Sequence, residues 1–144
     1  MHKVFGIREN VEYTDREGTY LIPIHDNQVC VVETSKGCFL LGGGIENGED
    51  HMSCIQRECL EETGYMVCVK DRVCSAETYG KHPAIGYFHP IQTYYVGELM
   101  SKVSEPMEND HRLLWIEYDK IKGKLFVEMQ NWALERCFEF VRGE

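Results

Sequence analysis

Apolar and polar positions alternate over residues 18–21 and then merge into an apolar run that ends at Asp26-Asn27. Residues 29–33 form a second run, rich in β-branched side chains, which Lys36-Gly37 interrupts; residues 38–41 form a short third. Short apolar runs punctuated by turn residues predict three strands. Gly42-Gly43-Gly44 comes next, and three consecutive glycines make a poor strand interior, so a loop is predicted there.

The period then changes. Residues 50–63 read as a helix, with Asp50 as an N-cap able to accept the free amides of the first turn and Gly64 placed for a left-handed C-terminal cap. Met52, Ile55 and Cys59 fall at i, i+3 and i+7 and form one apolar stripe. Residues 65–76 look extended through Val67, Val69 and Val73, and residues 91–99 form a clear strand around Tyr94, Tyr95 and Val96. A polar segment, 101–110, precedes a short strand at 113–116 with Trp115 in the core. Residues 125–141 read as a second long helix whose buried face carries Phe126, Met129, Ala133, Cys137 and Phe140. Strands and helices in this order predict an α/β (α+β) chain with helices packed on a mixed sheet.

Composition narrows the class. The 144 residues suit a single domain, 1–144, and 43% hydrophobic residues with only 13 Gly and 4 Pro exclude disordered or collagen-like chains. A net charge of -9 argues against a long nucleic acid or an anionic membrane as partner. It leaves room for a small phosphorylated ligand held through cations. No apolar run reaches the roughly 18 residues of a membrane helix, and residues 1–10 hold no signal-type apolar stretch, so a cytoplasmic location is expected. The seven cysteines include no CxxC pair, which favours reduced, buried thiols over zinc or disulfides.

The chemistry concentrates between Gly43 and Tyr65. Glu58, Glu61 and Glu62 stand at i, i+3 and i+4, on one helix face, opposite the apolar stripe and therefore outward. Such a face is either merely solvated or a site for a hard cation such as Mg²⁺, which takes oxygen ligands. The glycines ahead of it let backbone groups approach a ligand closely.

Gly43, five residues, Glu49, seven residues, then Arg57-Glu58-Cys59-Leu60-Glu61-Glu62-Thr63-Gly64-Tyr65 resembles the Nudix box of the Nudix (MutT-like) hydrolases, G-x5-E-x7-R-E-U-x-E-E-x-G-U with U bulky and apolar. Every fixed position matches, and Cys59 and Tyr65 stand at the U positions. The resemblance implies a Nudix α/β/α sandwich and hydrolysis of a nucleoside diphosphate linked to another moiety, with Mg²⁺ or Mn²⁺. It further implies Glu58, Glu61 and Glu62 as metal ligands together with the Gly43 carbonyl. Arg57 and Glu49 would form a structural ion pair, and Gly64 would belong to the box scaffold. The general base would be a later loop carboxylate, Glu108 first and then Glu105, with Glu62 or Glu58 as competitors. Arg8, Tyr20, Phe39 and Lys81, with Tyr79, His82 and Tyr94, are candidates for substrate contacts, and Lys81 or Arg112 for a terminal phosphate. A (deoxy)nucleoside triphosphate is the first substrate expected, ADP-ribose or a nucleotide sugar the second. A non-catalytic nucleotide sensor is the competing class, disfavoured because every box glutamate is present. The sequence does not choose between a monomer and a homodimer.

Overall fold

The computed structural model describes residues 1–107 and 109–144. Among them are nine strands: β1 (His2–Phe5), β2 (Thr14–His25), β3 (Gln28–Thr34), β4 (Gly37–Phe39), β5 (Leu41–Gly44), β6 (Tyr65–Thr78), β7 (Gly80–His82), β8 (Gly86–Lys102) and β9 (Arg112–Glu117). The helices are α1 (His51–Thr63), the single turn α2 (Tyr118–Ile121) and α3 (Glu128–Arg142). The sheet is mixed. Its main path runs β1-β6-β8-β2-β3-β4, with β5 also on β2, β7 on β8 and β9 on β3. The axis is the parallel pair β2–β8, in register from Thr14↔Phe88 to Pro23↔Gly97.

Side chains alternate across a strand, and here the alternation feeds two cores. Ile22, Val29, Val31, Leu40 and Tyr94 pack with Met129, Ala133, Leu134 and Cys137 of α3. Their neighbours Leu21, Cys30, Val32, Leu41 and Tyr95 pack with Ile55 and Cys59 of α1. The long helices therefore lie on opposite faces of the sheet, the expected α/β/α sandwich. Cys59 is fully buried among these side chains. Cys59→Val is expected to shift stability by less than about 1.5 kcal/mol, because volume and polarity are nearly kept. A melting curve checks this, and an inactive but well-folded variant would assign the thiol a role beyond packing.

Several predictions from pattern held. Asp26 and Asn27 both take positive φ (48° and 65°) in a two-residue turn joining β2 to β3. Asp50 caps α1 by accepting the Ser53 N–H at 2.8 Å, and Gly64 ends it in the left-handed region. Among the described residues all seven cysteines are free thiols, but only five are buried, Cys38 and Cys68 being partly exposed; no helix is long and apolar enough to cross a membrane.

Others need correction. The glycine triplet is not a loop: residues 41–44 form β5, antiparallel to Gly18–Leu21 of β2. Glycine is needed there for close approach, as shown below. Met52 is 41% exposed, and Cys54, fully buried, takes its place in the stripe. Trp115, Phe126 and Phe140 are exposed rather than core. The second long helix starts at Glu128, because the Phe126 N–H is spent on the Cys38 carbonyl (2.9 Å) and Leu125 is held at both backbone atoms by the Asn131 side chain. The short β1 and β7 and the turn α2 carry too little periodicity to be predicted.

Candidate active site

β5 runs between β2 and α1, and its lack of side chains lets it fit. A Cβ at position 43 would lie 2.5 Å from Cδ of Glu58, and one at position 44 would lie 2.6 Å from Nε of Arg16. The Glu58 carboxylate thus rests directly against the Gly43 backbone. From below, the Cys54 thiol donates to the Gly43 and Gly44 carbonyls at 3.5 and 3.6 Å. The three glutamates do not face outward as their spacing predicts. All three are half-buried; Glu58 and Glu62 turn to β5, while Glu61, one-third exposed, reaches Arg57, and α1 buries Cys54 as well as Ile55 and Cys59.

Arg57 organises this face. Its Nε and Nη2 donate to the two oxygens of Glu49 at 2.6 and 2.9 Å, a bidentate pair. Nη2 also reaches the Gly44 carbonyl (3.0 Å), and Nη1 donates to Glu58 (2.9 Å) and Glu61 (3.4 Å). One guanidinium therefore ties the 45–50 segment, the end of β5 and two glutamates together. Glu62 turns elsewhere: its Oε1 accepts the Gly42 N–H at 2.9 Å. Burial and then repulsion from Glu61 push the Glu58 carboxyl above its usual range, against the pull of Arg57 and Arg16.

The Glu49 carboxyl is held down to about 2, first by the Arg57 hydrogen bond and then by the Glu46 N–H. Its folded value lies below its ordinary one. The anchor thus contributes stability above pH about 4.5 and loses it as pH falls from there toward about 2. Wild type should melt above Glu49→Gln at neutral pH, with the two curves converging through that acid window. A constant gap across it would remove Glu49 as the titrating anchor.

Beside β5 opens a cleft of about 160 Å³ lined by Arg16, Gly18, Tyr20, Gly43, Gly44, Phe88, Pro90 and Gln92. Gly18, Tyr20 and Arg16 follow one another on the same face of β2, and the missing side chain at Gly18 leaves the slot open. Of the candidate substrate residues, Tyr20 alone lines this cleft. Arg8 sits 5.8 Å from the Tyr79 ring in a separate cleft of about 410 Å³ with Tyr13 and His89. Phe39 packs on Phe126 (5.2 Å), Lys81 lies over Tyr87 (4.8 Å), Tyr79 stacks on His89 (4.2 Å), and His82 packs on Phe88 (5.6 Å). Tyr94 is core and Arg112 pairs with Glu33. Sequence reasoning missed Arg16 and Gln92. The lone cation between Asp15 and Glu17, two residues before Gly18, was a usable signal for Arg16.

The later loop docks on the end of α1. The Val103 and Ser104 N–H groups donate to the Gly64 carbonyl (2.8 and 3.2 Å), and the Met107 N–H donates to the Glu61 carbonyl (2.8 Å). Glu105 lies on this segment, exposed, 3.3 Å from Lys102. Glu108 lies outside the described residues. Among the described residues no three His, Cys, Asp or Glu side chains stand close enough together to hold a metal ion as they are placed. The donor chemistry of the face nevertheless suits a hard cation: it is all carboxylate and carbonyl oxygen, half-buried, with Glu58 destabilised in its charged form.

A family model described as the NUDIX domain matches residues 15–135. Solved structures of like fold include a MutT NUDIX hydrolase from Burkholderia pseudomallei, 18% identical, covering 85% of this chain and 98% of that one at a TM-score of 0.71. A NUDIX hydrolase from Nitrosomonas europaea is 17% identical over 85% of this chain and 91% of that one, with a TM-score of 0.64. A UDP-X diphosphatase is 17% identical over 93% of this chain and 66% of that one, with a TM-score of 0.68. A search of the curated proteins found no match. At such identities the structures speak for the fold, whereas the family model spans most of the chain, strands β2 to β9 and the box helix included. The chain belongs to the Nudix family, whose enzymes are pyrophosphohydrolases.

Proposed function

We propose that this chain hydrolyses a diphosphate linkage in a small nucleotide, a nucleoside diphosphate bearing a further group, with a (deoxy)nucleoside triphosphate as first candidate. The observation that carries this reading is the apposition of the Glu58 carboxylate and the Gly43 backbone beside a cleft rimmed by Arg16. An anionic substrate meets a cation on one side and carboxylates on the other, so a divalent cation must join the two.

Glu58, Glu61 and Glu62, with the Gly43 carbonyl, are the groups we assign to Mg²⁺ or Mn²⁺. When bound, such a cation polarises phosphoryl oxygens and lowers the pKa of water. Arg57 holds Glu58 and Glu61 on one guanidinium and fixes the loop through Glu49. Arg16 supplies a charge partner for phosphate. For the general base we propose a carboxylate of the 101–110 segment, Glu108 first and Glu105 next. Glu62 or Glu58 competes for that role. A cytoplasmic location goes with this reading and is supported by the free thiols.

The test is release of phosphate and pyrophosphate across nucleoside triphosphates, ADP-ribose, nucleotide sugars and dinucleoside polyphosphates, with Mg²⁺ or Mn²⁺ and with a chelator. Cleavage of a triphosphate, abolished by chelation, is the expected result. Silence across the panel with retained nucleotide binding in a melting assay would make the chain a sensor instead.

A further inference from the structure

Of the five asparagines in the chain, only Asn47 precedes a glycine, Gly48. The main-chain nitrogen that follows an asparagine can attack the side-chain carbonyl carbon, and a side chain on the next residue shields that approach. Glycine has none. The fold leaves this pair open. Residues 46–49 form a β-turn: the Glu49 N–H donates to the Glu46 carbonyl at 3.0 Å, and Gly48, in the third position, takes φ +83°. Asn47 and Gly48 are exposed, and nothing lies within 4 Å of where a Gly48 Cβ would stand. Among the described residues neither the Asn47 side chain nor the Gly48 N–H has a hydrogen-bond partner. Elsewhere the asparagines are better held: Asn27 accepts from Arg142, and Asn131 is bound at both side-chain atoms to the Leu125 backbone.

The same turn sets the Arg57 clasp. Glu46 and Glu49 bond reciprocally, since the Glu46 N–H donates back to Glu49 Oε1 at 2.9 Å. Both carboxylates meet the guanidinium, Glu49 at 2.6 and 2.9 Å and Glu46 at 3.6 Å. Arg57 in turn holds Glu58 and Glu61. The spacing of main-chain atoms between Glu46 and Glu49 therefore decides how the clasp closes, and Asn47 and Gly48 are all that lies between them.

We propose that Asn47 is a site of spontaneous deamidation and that its isoaspartyl product opens the Arg57 clasp. The Gly48 nitrogen gives its proton to a base in solution and bonds to Asn47 Cγ. The Cγ–Nδ2 bond breaks and ammonia leaves, closing a five-membered imide. Water then opens the imide at one of its two carbonyls. Opening at Cγ leaves an ordinary aspartate, which adds a charge and keeps the main chain. Opening at the main-chain carbonyl leaves an isoaspartate, whose backbone runs through Cβ and Cγ and is one atom longer. That extra atom spoils the reciprocal Glu46–Glu49 bonding and draws Glu49 off the guanidinium. The loosening reaches the carboxylate face through Glu58 and Glu61.

The experiment ages wild type, Asn47→Gln and Glu49→Gln in warm, mildly alkaline buffer, which speeds imide closure. Peptide mass mapping, methylation by an isoaspartyl methyltransferase and melting curves are the readouts. In wild type the amide-to-acid mass gain and the methyl acceptance should appear first in the peptide holding residue 47. Asn47→Gln should lose both there, because the longer side chain closes a larger ring far more slowly. The isoaspartyl fraction, separated by chromatography, should melt about 3 °C or more below fresh protein, and Asn47→Asp within about 1 °C of it. In Glu49→Gln, where the clasp is already slack, ageing should lower melting by roughly half as much or less. No gain at residue 47, or equal rates at the other asparagines, would overturn the site. Isoaspartate there without a fall in melting, or with an equal fall in Glu49→Gln, would overturn its action on the clasp.

Discussion

Glu58→Gln should lower turnover by roughly 10²–10³-fold with the fold intact, the scale seen when a preorganised charge is removed from a transition state. The amide keeps a carbonyl oxygen for the Arg57 Nη1 contact at 2.9 Å, so the ion-pair frame loses little. It loses the charge that rests against Gly43. Two readouts separate this from general damage: the melting temperature should stay close to wild type, and Mn²⁺ binding followed by water-proton relaxation should weaken. Full activity with unchanged Mn²⁺ affinity would remove Glu58 from the metal set.

Gly42→Ala should be strongly destabilising. Gly42 has φ +138°, and a Cβ there would collide with the Thr19 carbonyl and lie 2.7 Å from the Tyr20 Cα. Neither contact is a flexible side-chain tip, so relief requires β5 to move off β2. The Gly42 N–H also donates to Glu62, so the same displacement disturbs the carboxylate face. The expected cost is about 3 kcal/mol or more, a melting shift of roughly 10 °C for a domain of this size. Gly48→Ala offers a contrast: φ is again positive (+83°), but nothing lies within 4 Å, so only the backbone term remains. Equal losses in the two variants would show that close packing at β5 contributes nothing.

The helix that carries the box was legible because its signals are local. Asp50 and Gly64 act on amides and carbonyls within one turn, and Ile55 and Cys59 report the buried face through their spacing. What failed depended on distant partners. Three glycines argue against a strand until Thr19, Arg16 and Glu58 are seen to occupy the space their side chains would need. Phe126 looks helical until its N–H is found on the Cys38 carbonyl. Trp115 pairs with Cys30 across β9 and β3, yet its side chain stays exposed where Cys30 is buried. Within the site, Arg16, Gly43 and Gln92 come from three strands, β2, β5 and β8, and no spacing in the sequence connects them.

Cys54 gives the glycine strand a chemical clock. Its thiol is wholly shielded beneath β5, and burial raises its pKa, so a thiol-reactive reagent reaches it only in moments when the strand has lifted. Cys38 and Cys68 are partly exposed and should be consumed first, as a fast phase of labelling. Resolved from the other buried thiols, Cys30, Cys59, Cys74 and Cys137, by peptide mapping, a slower phase at Cys54 then counts the opening of β5 itself, without a mutation. A ligand lodged against Gly43 and Gly44 holds the strand down, so occupancy of the cleft can be read as a slowing of that one reaction.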